Sequence, residues 1–156
     1  MPYIYGVLPP IASLRPFEGI MPVKPHITIV KIREPRIVSL NFKPFVAQLK
    51  EVVLLPSSAK PRYIALSVEP YSEFLALRKA LEALLGGVVD EKHGEFKPHL
   101  TVYSIRIKNP SLDELAPALD EASALRNTAF EIRSVDLIDT TGGEYKPIYT
   151  IRPDGR

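Results

Sequence analysis

The chain has no cysteine, no tryptophan and only two methionines among its 156 residues. Without cysteine it can form neither a disulfide bond nor a thiolate metal site, and it has no cysteine nucleophile. No apolar stretch approaches the roughly 18 residues that a membrane-spanning helix requires. The start Met1-Pro2-Tyr3 also lacks the basic and then apolar layout of a secretory signal. We therefore expect a cytoplasmic protein that does not span a membrane.

The composition is that of a folded chain. Apolar residues make up 46% and charged residues 24%, both close to the average for globular proteins. The length suits one domain, and we expect residues 1–156 to form a single functional unit built of two lobes. The net charge of only +2 argues against a purely electrostatic nucleic-acid binder. Basic residues nevertheless concentrate at 24–43 and 92–108, whereas 110–144 is acidic.

Strand patterns dominate the chain, with two helical segments among them. One helix is predicted from Ser72, as its cap, to the Gly86-Gly87 stop. A second should open at the capping box formed by Ser111 and Glu114, although Pro117 predicts a kink or a later start. This mixture favours an α+β fold with antiparallel strands covered by helices. The predicted strands cover residues 3–8, 26–32, 45–55, 63–68, 99–107, 129–139 and 146–151.

One hexapeptide occurs twice, because Lys24-Pro25-His26-Ile27-Thr28-Ile29 recurs as Lys97-Pro98-His99-Leu100-Thr101-Val102. Two such copies predict two similar lobes, each an antiparallel sheet with helix cover, related by a pseudo-twofold axis around a central cleft. In a strand, alternate residues face the same side. Each copy therefore presents one imidazole and one hydroxyl to one surface and buries its apolar residues on the other.

This set of groups suits cleavage of a phosphodiester. One histidine can remove a proton from the attacking oxygen while the other donates a proton to the leaving oxygen, since the imidazole titrates near neutral pH. Thr28 and Thr101 can bond the phosphate oxygens. A bell-shaped pH profile follows, and no metal or other cofactor is needed. The rival interpretation of a metal site lacks a third ligand beside His26 and His99.

At these motifs the sequence resembles the two-histidine (2H) phosphoesterase superfamily, in its RNA 2′,3′-cyclic phosphodiesterase or 2′-5′ RNA ligase branch. The family signature of two His-x-Thr/Ser-x motifs, each followed by an apolar residue, is matched by both copies. The resemblance implies a bilobal α+β fold and hydrolysis of a 2′,3′-cyclic phosphate to a 2′-phosphate at an RNA end. Residues 9–23 and 33–44 depart from it, because they are too short and too rich in proline for the long helices usual there.

Five further residues are candidates for substrate contact. Lys24 and Lys97 precede the histidines by two positions and could contact the phosphate. Tyr103 continues the face of His99 and Thr101, where it could stack on a base, although packing is the role we expect for it. Tyr149 and Tyr5 are similar candidates on weaker grounds. His93 is expected to be a solvated loop residue.

Three functions remain open on the sequence. The first is a monomeric phosphodiesterase acting on RNA ends, with 2′-5′ ligation as the same chemistry in reverse. The second is a module that binds RNA ends without turnover. The third is a phosphodiesterase for another small cyclic phosphate.

Overall fold

A computed structural model describes residues 3–90 and 95–153. His93, which we expected to be a solvated loop residue, lies outside the described residues. Eight strands and two α-helices are present in the described part of the chain. The strands are β1 (Tyr3–Val7), β2 (Ile20–Ile32), β3 (Phe45–Leu55), β4 (Tyr63–Glu69), β5 (His99–Ile105), β6 (Ala129–Ile132), β7 (Val135–Asp139) and β8 (Lys146–Ile151). The helices are α1 (Tyr71–Leu85) and α2 (Leu112–Ser123).

The sheet confirms the predicted α+β class, since every described strand pair is antiparallel. The strands do not form two separate sheets, however. They form one eight-stranded sheet in the order β6-β3-β4-β5-β2-β1-β7-β8. The two strands that carry the repeated motif, β5 and β2, are neighbours at its centre. The prediction of two sheets was wrong, because β2 and β5 are hydrogen-bonded to each other and so join the two halves. The pseudo-twofold relation between these halves stays a prediction.

The two helices pack against strands at and beside the central pair. Helix α1 contacts β2 and β4 through Phe74, Leu77, Leu81 and Leu85, and α2 contacts β3 and β4. These side chains join one apolar core with residues of β2 and β5, including Ile27, Ile29 and Leu100. The motif-bearing strands are therefore anchored by burial of their apolar face.

Helix ends agree with the sequence only in part. The capping box of α2 is present, with the Glu114 amide donating to Ser111 Oγ and the Ser111 amide donating to Glu114 Oε1. Helix α2 begins at Leu112 and includes Pro117, so the alternative of a later start was wrong. Helix α1 ends before Gly86 as predicted, but its N-cap is Pro70, without a side-chain cap, rather than Ser72.

The segment predicted as one strand over 129–139 is two strands at opposite parts of the sheet. Strand β6 pairs with β3 at one edge, whereas β7 pairs with β1 and β8 near the other. The break at 133–134 lets the chain cross between the two halves. Strand β2 also starts earlier than predicted, at Ile20, because residues 20–22 pair with the end of β5. The weak periodicity before His26 concealed this pairing.

Candidate active site

The central strand pair places the two motifs side by side. His26 lies opposite Thr101 and Ile27 opposite Leu100 in the register of β2 and β5. His26, Thr28, His99 and Thr101 all line one cavity of about 680 Å³. The structure thus brings together the four residues that the repeated motif singled out. His26 is 5% and Thr101 8% exposed, and both are among the few buried polar residues.

Both imidazoles are held by the same device. Nδ1 of His26 lies 2.8 Å from the carbonyl oxygen of Lys24, and Nδ1 of His99 lies 2.7 Å from that of Lys97. A carbonyl oxygen can only accept, so Nδ1 carries the hydrogen and donates it in each case. The second nitrogen, Nε2, is therefore left for proton exchange, with a lone pair in the neutral ring and a proton in the imidazolium.

The environments of the two histidines differ. Burial lowers the pKa of His26 to about 4. The hydrogen bond to the Lys24 carbonyl acts in the opposite direction, and the charge of His99 lowers this pKa further. Burial also lowers the pKa of His99. The hydrogen bond to the Lys97 carbonyl raises this pKa, and the positive charge of Lys31 lowers it. His26 is the more buried of the two. The neutral form is thus favoured at both sites, most strongly at His26.

An aromatic ring covers His26. The Tyr145 ring stacks on the imidazole with centroids 3.9 Å apart and an angle of 25° between the planes. Tyr145 has a left-handed backbone (φ 49°), and its carbonyl oxygen accepts a hydrogen bond of 3.2 Å from Lys24 Nζ. The segment after β7 is thereby fastened over the first motif. Sequence reasoning missed Tyr145, because a residue in a glycine-rich turn carries no periodic signal of its position.

Three cationic side chains line the cavity together with the acidic residue Glu95. Lys31 and Lys97 line it, and neither has an ion-pair partner among the described residues. Arg78 also lines it, but its guanidinium already bonds the Ile29 carbonyl oxygen, pairs with Glu82 and lies over the Phe96 ring. The hydroxyls of Thr28 and Thr101 form no hydrogen bond within residues 3–90 and 95–153. These threonine and lysine groups are available to an anionic ligand.

Of the five further candidates, only Lys97 lies at the cavity. Lys24 is engaged with Tyr145, and Tyr149 packs against the apolar core outside the cavity. Tyr103 is fully buried, and its hydroxyl donates to the Arg15 carbonyl oxygen. Tyr103 therefore has the expected packing role and is not placed to stack on a base.

A bulge at Val102 explains why Tyr103 packs in the core although it continues the face of His99 and Thr101. In the pairing of β4 with β5, Ile64 faces Tyr103 while the next residue, Ala65, faces Thr101. The extra residue interrupts the two-residue alternation and turns Tyr103 into the core. Tyr5, the weakest candidate, is also buried, with its hydroxyl donating to the Arg36 carbonyl oxygen.

No group of three or more histidine, aspartate or glutamate side chains suited to a metal ion occurs within the described ranges. In the same part of the chain, no helix has the length and apolar character needed to cross a membrane.

The curled antiparallel sheet and the paired His-x-Thr motifs on its central strands define a two-histidine phosphoesterase. A family model described as the 2′-5′ RNA ligase superfamily matches residues 11–144, and the chain belongs to this family. It is similar to a protein named RNA 2′,3′-cyclic phosphodiesterase from Archaeoglobus fulgidus. The two sequences are 26% identical over an alignment 156 residues long, and this alignment covers 92% of this chain and 87% of the relative.

The fold also matches a solved structure, the crystal structure of TT0787 of Thermus thermophilus. The TM-score is 0.71 and the match covers 100% of both chains at 21% sequence identity. This likeness extends over the whole sheet and both helices, so it supports the architecture independently of the motifs.

Proposed function

We propose that the protein hydrolyses 2′,3′-cyclic phosphodiesters at RNA ends and leaves a 2′-phosphate. The observation that carries this proposal is the convergence of two imidazoles and two hydroxyls on one cavity, with both Nε2 atoms free to exchange protons. Opening a cyclic phosphodiester requires one proton acceptor and one proton donor around the same phosphorus. The relative named as an RNA 2′,3′-cyclic phosphodiesterase supports the choice of substrate.

His26 is the general base in this proposal. Its pKa of about 4 keeps the imidazole neutral over most of the physiological range, with a lone pair on Nε2. It takes a proton from the attacking water, whose oxygen forms a new bond to phosphorus. The Tyr145 ring and the Lys24 carbonyl hold the imidazole in place during this step.

His99 is the general acid. The bond between phosphorus and O3′ breaks, and Nε2 of the protonated His99 gives its proton to O3′, so that the phosphate stays on O2′. In the free protein the pKa of His99 is lowered, in part by Lys31. A bound phosphodiester anion offsets the charge of Lys31 and raises the pKa of His99, so substrate binding itself favours the acid form.

The threonines and lysines bind the phosphate. Thr28 and Thr101 donate their hydroxyls to the non-bridging oxygens, and Lys31 and Lys97 balance the charge that develops on these oxygens. All of these groups come from one chain, which is why we propose that a monomer suffices. With the 5′ hydroxyl of a second RNA strand in place of water, the same groups would form a 2′-5′ linkage, the bond for which the family is described.

The direct test is hydrolysis of a short RNA ending in a 2′,3′-cyclic phosphate, in the presence of excess chelator, with identification of the phosphate isomer. Wild type should release a 2′-phosphate despite the chelator. His26→Ala and His99→Ala should each lower kcat by roughly 10²–10⁴-fold. Binding of the RNA end without turnover would instead indicate a binding module, and turnover only of another cyclic phosphate would change the substrate class.

A further inference from the structure

A second cavity adjoins the active site at the junction of β4 and β5. It has a volume of about 660 Å³ and is formed by the segment before β4 and by the end of β5 with the residues that follow it. We call it the basic groove. Its charged lining residues are Lys60, Arg62, Arg106 and Lys108.

The charge of the basic groove is of one sign. No carboxylate lines it, and its four cations are exposed and have no ion-pair partner within residues 3–90 and 95–153. Other arginines of the protein, such as Arg15 and Arg126, are paired with glutamates. The groove alone carries four positive charges, whereas the whole chain has a net charge of only +2, so this surface is more positive than the average of the molecule.

The backbone that carries the two arginines is fixed. The Arg62 amide donates to the Leu55 carbonyl oxygen and the Ile105 amide to that of Arg62, at 2.6 and 2.8 Å. The Arg106 amide donates to the carbonyl oxygen of Gly19 at 2.7 Å. These bonds tie both sides of the groove to the sheet, so the backbone positions from which Arg62 and Arg106 extend are fixed before a ligand binds.

The groove is continuous with the active site through Tyr63. This residue lines both cavities, lies opposite Ser104 in the sheet and is 46% exposed. A ligand bound at His26 and His99 that is longer than one nucleotide can therefore extend past the Tyr63 ring into the groove. An exposed aromatic ring beside a row of cations is typical of sites for single-stranded nucleic acid.

We propose that the basic groove binds the sugar-phosphate backbone of the RNA strand that leads to the cyclic end, and that Tyr63 stacks on a base at the junction. This inference rests on the proposed function and narrows its substrate to an RNA strand, rather than a free cyclic nucleotide. A 2′,3′-cyclic phosphate is the 3′ terminus, so the groove holds nucleotides on its 5′ side. Each of their phosphates carries one negative charge for the lysines and arginines to balance.

The test compares two substrates with two variants. The substrates are a mononucleoside 2′,3′-cyclic phosphate and a single-stranded RNA of about ten nucleotides with the same end. The groove variant is Arg62→Glu with Arg106→Glu. The control is Lys43→Glu with Lys79→Glu, which makes the same charge change at two exposed lysines that line neither cavity.

The groove variant should lose roughly 10- to 100-fold in kcat/KM on the RNA and show a shallower salt dependence, with about twofold change or less on the mononucleotide. The control variant should lose far less on the RNA. Equal loss on both substrates, or no loss on the RNA beyond that of the control, would overturn the proposal.

Binding separates this inference from the catalytic proposal. Fluorescence anisotropy with the same RNA, in a His26→Ala background, should show weaker binding for the groove variant and for Tyr63→Ala but near wild-type binding for Tyr63→Phe. If wild type hydrolyses no cyclic phosphate yet this pattern holds, the catalytic proposal fails and the groove stands. Unchanged RNA binding in the groove variant, or preference for an acidic peptide over RNA, overturns the groove proposal.

Discussion

His26 and Thr101 are direct partners across the antiparallel pair of β2 and β5. Each comes from a different copy of the repeated hexapeptide, so the imidazole of one motif lies beside the hydroxyl of the other. In such a pair the two side chains stand on the same face of the sheet. This single register explains why one cavity collects both histidines and both threonines.

The rate of catalysis should depend on pH through the protonation of both histidines. His26 must be neutral to accept a proton and His99 must be protonated to donate one. With the pKa of His26 at about 4 and that of His99 below its ordinary value of 6.5, kcat/KM should rise through about pH 4 and fall before pH 6.5. The falling limb of kcat should lie at higher pH, because the bound anion raises the pKa of His99. A flat profile over this range would contradict the assignment.

Tyr145 should act as a positioning residue for His26. Replacing its ring by Tyr145→Ala admits water to the imidazole, so the acidic limb of the pH profile should move upward and kcat should fall roughly tenfold. Tyr145→Phe keeps the stacked ring and should resemble wild type. The pKa of His26 measured by NMR in the two variants checks the cause. The role would be refuted by an Ala variant whose pKa for His26 matches wild type.

Burial of His26 should also make stability depend on pH. The folded pKa of about 4 lies below the ordinary 6.5, so the folded state resists protonation and loses stability as the pH falls from 6.5 towards 4. The size is about 3 kcal/mol in the free energy of unfolding. Urea unfolding of wild type and His26→Asn across this range measures it. The variant should lose less stability on acidification, and parallel curves would show that His26 is not the group responsible.

Gly6 should be intolerant of a side chain. A Cβ at this position would overlap the carbonyl oxygen of Ile27, the residue next to His26. Gly6→Ala must therefore push β1 away from β2, which should cost about 1–3 kcal/mol of stability and lower kcat. Gly87→Ala is the matched control, since nothing lies within 4 Å of its Cβ. Equal unfolding midpoints for the two variants in urea would refute the close contact.

The repeated motif was sufficient to single out four of the residues that line the cavity, namely both histidines and both threonines. Alternation along each strand predicted which side chains share a face, and the bounds of β3, Phe45–Leu55, follow from its apolar and polar pattern. Alternation does not say which strand is the neighbour, however. Two sheets and one continuous sheet therefore have the same local pattern, and only the pairing of β2 with β5 decides between them.

The remaining departures from the sequence patterns have local causes. A bulge at Val102 shifts the alternation, so Tyr103 enters the core although simple counting places it beside Thr101. Tyr145 reaches His26 through a left-handed backbone in a turn, which no strand or helix period describes. The break at 133–134 divides a continuous strand-like pattern between distant parts of the sheet.

The central claim is that His26 and His99 act as one proton-transfer pair on the same phosphate. A double-mutant cycle in kcat on the cyclic-phosphate RNA tests it most directly, with His26→Ala, His99→Ala and both changes together. We expect a loss of roughly 10²–10⁴-fold for each single variant and little further loss for the double variant, since the effects of residues that act as a unit are not additive. Near wild-type kcat in either single variant, or losses that multiply in the double variant, would contradict it.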